Sequence, residues 1–495
     1  MDAGQLRRRL RGPGPGDGDA PARLLTAARG RSGTDRRRTP ALIALTLGVF
    51  LVTLNVTVVV VSLPALQRSL HAAPDQLEWV IDAYNLTGAA LLLSAGSLAD
   101  RFGRRRILVT GYVLFCGGAV LCALAPTAGW LIGFRVVQAI GGTALTPTSL
   151  AIVANLYPEP RERARAIGIW GISSGVGTGL GPIVGGGMTD WLGWRSVFLA
   201  NAAVGLAAMA AVLVVVPRSR AAVARRLDPS GQLLAAAALA ILTYALIEAQ
   251  RYGWSSSRID GLLAVDAALT AAFVVVELRT REPLIELRLF RDRQFSGAVA
   301  ITVATFFTFS GFVFLNALYL QQARGYSPLA AGLLTLPAAL PTLAGGPIAG
   351  HLVGTRGARG VLTAGTAVMA LGVGSLALLP AGVGLDWLLA AFLLLGIGYA
   401  VINAPISTVA VASMPRDQAG VAAAVASSGR NVGLVMGIAV LGSIVNARMP
   451  GLLARRPFAE AFTSAVHSAY WVAAAISLAA SAVAWTTLRA TPPGS

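Results

Sequence analysis

The chain has 495 residues, 55% of them hydrophobic and only 13% charged, with a mean hydropathy of +0.68. That balance excludes an ordinary soluble protein, in which charged residues make up about 25%. The net charge of +18 comes from arginine without any lysine, and these arginines flank apolar stretches as membrane topology requires, which argues against nucleic-acid binding.

In chain order, residues 1–40 come first, rich in Arg, Gly and Pro, with the clusters Arg7-Arg8-Arg9 and Arg36-Arg37-Arg38. Such a segment cannot form a core and is expected to be a disordered cytoplasmic tail on anionic lipid. No short apolar region with a small-residue cleavage site precedes Pro40, so a cleaved signal peptide is not expected. Apolar runs follow, each about 20 residues and long enough to cross roughly 30 Å of hydrocarbon. We read fourteen spans at about 41–62, 78–97, 107–125, 130–154, 165–187, 196–217, 232–250, 259–277, 295–321, 329–353, 361–380, 387–413, 420–446 and 466–488. None alternates at period two over its length, which argues against a barrel. The expected class is an all-α polytopic membrane protein.

Arginine sets the orientation. With the N-terminus inside, the cytoplasmic segments hold thirty arginines and the external ones eight. Both termini are therefore expected in the cytoplasm. The arginine and alanine bias suggests a bacterial cytoplasmic membrane. Cys116 and Cys122 fall in one span and read as reduced packing residues. His71, His351 and His467 are isolated, and no metal site or cofactor is expected.

An internal repeat divides the chain. Gly96-x-Leu98…Gly103-x-Arg105-x-x-Leu108 recurs as Gly350-x-Leu352…Gly357-x-Arg359-x-x-Leu362, with Gly354 where Asp100 stands. Two pseudo-symmetric halves are a mark of transporters. The expected units are the tail 1–40, a first six-helix half 41–217, an inserted helix pair with its loops 218–294, a second half 295–488 and a short tail 489–495.

Four stretches carry a family resemblance. They are the loop Gly96–Arg106, Arg135-Val-Val-Gln138-Ala-Ile-Gly141-Gly142 on span four, the span-five run Gly175, Gly179, Gly181, Pro182, Gly185 and Gly186, and Leu54-Asn55-Val-Thr57 to Leu63-Pro64 on span one. With them the chain resembles the major facilitator superfamily, in its fourteen-span drug:proton antiporter branch. The resemblance implies the major facilitator fold and export driven by the proton gradient, with small lipophilic or cationic substrates and protons as partners. It also implies a conformational latch at Gly96, Asp100, Arg101, Gly103, Arg104 and Arg105, and a packing and sealing role for the span-five run. Plain positive-inside anchoring and ordinary helix packing are the simpler readings of these two motifs. The family's usual acid in span one is replaced by Asn55, which cannot exchange a proton.

Asp82 is then the leading coupling candidate, with capping of span two as the plainer alternative. It lies roughly 6 Å below the start expected for span two, and Arg135 roughly 8 Å into span four. With Asn55 they are expected at one depth. A carboxyl group in low dielectric keeps its proton, and a nearby guanidinium favours its release, so moving the arginine or binding a cation would switch the proton. Gln138, one turn on, is a substrate or inter-helix contact. Arg430 with Asn431, and Asn403, are the polar candidates of the second half. Glu248 reads as interfacial, and Asp266 is unexplained. Aromatics such as Tyr84, Trp170, Phe306, Phe307, Phe312, Phe314 and Tyr319 could line a cavity or simply pack. A dedicated exporter of a self-made metabolite, and an uncoupled facilitator or sensor, are the alternative functions. No nucleophile–base set or nucleotide loop supports an enzyme.

Overall fold

A computed structural model describes residues 20–219, 228–280, 283, 285–378, 380, 382–412 and 419–489. It is almost entirely helical. The first half comprises α1 (Ala20–Leu70), α2 (Pro74–Phe102), α3 (Arg104–Ala123), α4 (Ala128–Leu156), α5 (Pro160–Leu192) and α6 (Trp194–Val215). Between these and the second half lies the helix pair α7 (Pro229–Tyr252) and α8 (Ser257–Arg279), at the place expected for the inserted pair. The second half comprises α9 (Arg293–Leu318), a broken α10, α11 (Ala358–Leu378), α12 (Leu385–Ala412), α13 (Ala419–Leu453) and α14 (Phe458–Thr487). Helix α1 runs back to Ala20, into the segment read as a tail, while residues 1–19 lie outside the described residues.

Helix α10 consists of Pro328–Leu334, Leu336–Ala339 and Pro341–Arg356, with a bend of 42° between Pro328–Leu334 and the stretch Leu336–Gly346. Pro337 and Pro341 lack the N–H that an unbroken helix needs. Among the described residues, twelve helices are long and apolar enough to cross a membrane, or thirteen with the bent α10 taken as one span. The expected count of fourteen also includes α2, which is 29 residues long but carries Asp75, Glu78, Asp82, Asp100 and Arg101 and falls outside that set.

The sequence repeat has a backbone cause. Gly103 joins α2 to α3 with φ +101°, and Gly357 joins α10 to α11 with φ +78°. Both turns need a conformation that only glycine adopts without strain.

Packing repeats as well: α5 lies along α1 as α13 lies along α9, and α3 pairs with α4 as α11 pairs with α12. Glycines permit the close approach. On α5, a Cβ at Gly177, Gly181 or Gly185 would run into Phe50, Thr57 or Val58 of α1. On α13, a Cβ at Gly433 or Gly437 would strike the carbonyls of Val303 or Phe307 on α9. Gly141 against α3 and Gly398 against α11 form the matching pair.

Helix α7 lies against one helix of each half, α2 and α13. Ser94 of α2 donates to Gln232, the rings of Trp79 and Tyr244 are 6.2 Å apart, and Ser443 of α13 donates to the Leu246 carbonyl at 2.7 Å. Glu248 is buried near the end of α7, and Asp266 is half-buried on α8.

Candidate functional site

Arg135 is fully buried, seven residues into α4 and so about 10 Å from its start. A charge at such depth needs partners. Its Nε donates to the Val80 carbonyl of α2 at 3.0 Å, and its Nη1 to Gln138 Oε1 at 2.8 Å and Asn55 Oδ1 at 3.4 Å. Gln138 Nε2 also donates to Asn55 Oδ1, at 3.2 Å. The guanidinium carbon lies 4.4 Å from the centre of the Tyr84 ring. Asn55, Arg135 and Gln138 thus form one buried network from α1 and α4, floored by α2, and all three are fully buried.

Asp82 does not join it. Val80 and Tyr84 face α4, and Asp82 stands two residues from each, about 200° around the helix. The expected pairing of Asp82 with Arg135 fails on this phase. Asp82 is also deeper than expected, because α2 begins at Pro74, which puts it roughly 12 Å in. It is fully buried, and neither carboxylate oxygen has a hydrogen-bond partner among the described residues.

The sequence reading missed Glu78, one turn before Asp82. It is fully buried, and its Oε1 accepts from Asn446 Nδ2 of α13 at 2.8 Å. The available signal was an acid pair at i, i+4, but placing the start of the span at 78 made Glu78 look like a boundary residue.

The loop after α2 is tied within the first half. Asp100 Oδ1 accepts from Arg104 Nε at 3.0 Å and Nη2 at 2.9 Å. Arg104 Nη1 donates to the Ala151 carbonyl of α4 at 3.1 Å, and Arg105 donates to the Leu213 carbonyl of α6. Arg101 is exposed beside the Phe102 ring, and a Cβ at Gly96 would meet nothing within 4 Å. In the repeat, Arg359 lies over the Trp485 ring of α14 at 3.8 Å, the counterpart of Arg105 on α6.

The two halves meet at the face that carries the α1–α2 turn. A single π turn, Tyr319–Ala323, extends α9. From it Gln321 donates to the Val61 carbonyl and Gln322 to Gln67 Oε1, both at 2.8 Å. The Leu329 amide of α10 donates to Asp190 Oδ2 of α5 at 2.9 Å. Gly186 of α5 abuts Pro328, and Gly332 of α10 abuts the Pro182 carbonyl. Gly175 and Gly179 face Thr342 and Ala339 at ordinary contact distance. Toward the opposite face the same two helices part: Gly168 and Gly171 of α5 and Gly350 and Gly354 of α10 have no such neighbour among the described residues. Among the described residues, α5 and α10 thus close on each other at the α1–α2 face and part toward the α2–α3 face.

In the second half, Arg430 is half-buried on α13, 4.8 Å from the Phe306 ring. Tyr399 stacks on Phe309 with centroids 3.8 Å apart. Asn403 and Asn431 are half-buried on α12 and α13. Phe307, Phe312, Phe314 and Tyr319 belong to a buried apolar core that draws on both halves, and Trp170 donates to Ser149 at 3.1 Å.

Two bundled halves around buried polar groups, shut at one face, define a transporter architecture. Residues 45–438 match the Major Facilitator Superfamily. The chain is 39% identical over 427 residues to the multidrug resistance protein Stp of Mycobacterium tuberculosis, covering 85% of this chain and 78% of Stp. It is 34% identical to the tetracenomycin C resistance and export protein of Streptomyces glaucescens, over 84% of this chain and 78% of that one. It is 34% identical to the puromycin resistance protein pur8 of Streptomyces alboniger, over 85% and 84%. Among solved structures it resembles a bacterial homologue of the human lysosomal transporter Spinster, with TM-score 0.66 and 18% identity over 92% of this chain and 97% of that one. It also resembles a D-xylose–proton symporter, with TM-score 0.65 and 18% identity over 91% and 98%. The chain belongs to the major facilitator superfamily.

Proposed function

We propose that this protein is a proton-coupled exporter of hydrophobic or cationic small molecules, working by alternating access in a bacterial cytoplasmic membrane. In this reading it has fourteen spans, with α2 among them, and both termini in the cytoplasm. The α1–α2 face is then external, and the described arrangement faces inward. The observation that carries the coupling is the fully buried Asp82 carboxylate without a hydrogen-bond partner among the described residues. An intramembrane carboxylate is retained for traffic of protons or cations. Inward proton movement supplies roughly 2.3 kcal/mol per charge per 100 mV. The relatives named for multidrug resistance, tetracenomycin C export and puromycin resistance support drug efflux.

Arg135, Gln138 and Asn55 form the polar floor against which a substrate is sensed. The loop from Gly96 to Arg105 latches α2 and α3 to the second half in the outward-facing state and releases them in this one. A second reading is a dedicated exporter of a self-made antibiotic, favoured by the relative named for tetracenomycin C export.

Ethidium efflux from liposomes, with and without a pH gradient, tests the proposal. Gradient-driven efflux lost in Asp82→Asn is the expected result. Efflux indifferent to the gradient in the wild type would sink proton coupling, and efflux that survives in the variant would remove Asp82 from it.

A further inference from the structure

Glu78 and Asp82 are both fully buried and stand one turn apart on α2. Residues four apart share a helix face, with Cβ atoms about 6 Å apart. Glu78 uses that face to reach across to α13 of the other half, where Asn446 donates to it at 2.8 Å. Gly442 lies one turn before Asn446. A Cβ there would lie 2.5 Å from Glu78 Oε1 and 2.7 Å from its Cδ, so the absent side chain leaves room for the carboxylate. Asp82 follows one turn deeper, with both oxygens lacking a partner among the described residues.

The charged and titratable surroundings are few. From α4, Arg135 is turned to the Val80 carbonyl and the Tyr84 ring, around the helix from Asp82. From α7 come Tyr244, against Trp79, and Glu248 one turn beyond it. Helix α13 presents no titratable residue between Arg430, which lies against the Phe306 ring, and Arg448, which donates to Ser468, and α1 contributes the neutral Asn55. Among the described residues, the deep end of the seam therefore holds a carboxylate with no cation set against it.

We propose that Glu78 and Asp82 are a two-step proton relay along the α2–α13 seam, with Glu78 as the external entry group. The proposal rests on the proton-coupled reading above. While the halves touch, Asn446 holds Glu78 and the seam excludes water. When α2 and α13 part, that hydrogen bond breaks and Glu78 takes a proton from the external side. The O–H bond of Glu78 then breaks as an O–H bond forms on the Asp82 carboxylate. Glu78 is left as a carboxylate ready to bind Asn446 again, and no other species is consumed.

The test uses the full chain in liposomes, with ethidium as the probe. Glu78→Gln keeps an oxygen for Asn446 but cannot carry a proton. It should lower gradient-driven efflux by about tenfold or more, and gradient-free ethidium exchange by less than about threefold. Glu78→Asp should restore gradient-driven efflux. A Glu78→Gln variant driven by the gradient as well as the wild type overturns the relay and leaves antiport standing. A wild type that ignores the gradient overturns the proposed function itself, and the relay with it. Should Glu78→Gln fail to fold, labelling of the wild type decides, because dicyclohexylcarbodiimide modifies protonated carboxyl groups in apolar surroundings. Label on Glu78 that rises with external acid supports the relay, and none on Glu78 overturns it.

Discussion

The Arg135 guanidinium carbon lies 4.4 Å from the centre of the Tyr84 ring while its nitrogens reach the Val80 carbonyl, Gln138 and Asn55. One planar, forked cation thereby ties α1, α2 and α4 together. Lysine carries the same charge but cannot fork or stack in this way. Arg135→Lys should lower ethidium efflux by about tenfold or more, which corresponds to about 1.4 kcal/mol of lost stabilisation. Arg135→Ala should also lower the thermal midpoint, because each buried acceptor left unsatisfied costs about 1–3 kcal/mol. Transport assays and fluorescence-monitored melting of the purified variants check both.

Asn55 supplies a neutral oxygen to both Arg135 and Gln138. Asn55→Asp would place a carboxylate there and turn the contact to Arg135 into a charge-assisted bond, roughly twice as strong as a neutral one. The variant should melt higher than the wild type and transport more slowly, since the network must loosen with each cycle. Asn55→Leu should melt lower. An Asn55→Asp protein that melts below wild type would contradict this picture.

The glycines of α5 should separate by neighbour. A Cβ at Gly185 would lie 2.8 Å from the Val58 carbonyl oxygen and 2.9 Å from its Cα. Backbone cannot step aside cheaply, so Gly185→Ala should destabilise by about 1–3 kcal/mol. At Gly179 the nearest atom is the Ala339 Cβ at 3.6 Å. Gly179→Ala should be neutral or stabilising by up to about 1 kcal/mol through helix propensity. Detergent melting curves of the two alanine variants give the comparison.

Gln321 and Gln322 bridge the halves at the α1–α2 face. A net hydrogen bond is worth about 0.5–1.5 kcal/mol. The double variant Gln321→Ala, Gln322→Ala should therefore shift the balance toward the arrangement open at that face. Spin labels on the ends of α1 and α9 should show a larger population of long distances. An unchanged distribution would mean that α5 with α10, and α2 with α13, hold this face shut without the two glutamines.

Several of these features could be read from residue order. The glycines of the repeat, Gly103 and Gly357, were visible because a turn with positive φ leaves almost no alternative residue. Helix rise placed Asn55 and Arg135 at one level, and they meet. The position of Asp82 was misjudged because depth without phase is half a coordinate, and a four-residue error in the start of α2 altered the depth too. Glu78 escaped notice because its partner, Asn446, is 368 residues away and nothing local announces it. The breaks in α10 were foreseeable from Pro337 and Pro341. The interlock of Gly433 and Gly437 with α9 was not, because glycine spacing does not name the helix it will touch.

Helix α7 holds Gln232 to Ser94 on one half and the Leu246 carbonyl to Ser443 on the other. Any rocking that separates α2 from α13 must release one of these grips while the other persists. The inserted pair then travels with a single half, and the grip that yields sets how far the α1–α2 face can gape. If the halves rock as proposed, α7 acts as a brake on the stroke, and loosening its hold on Ser94 or Ser443 should alter the speed of the cycle before it alters what is carried.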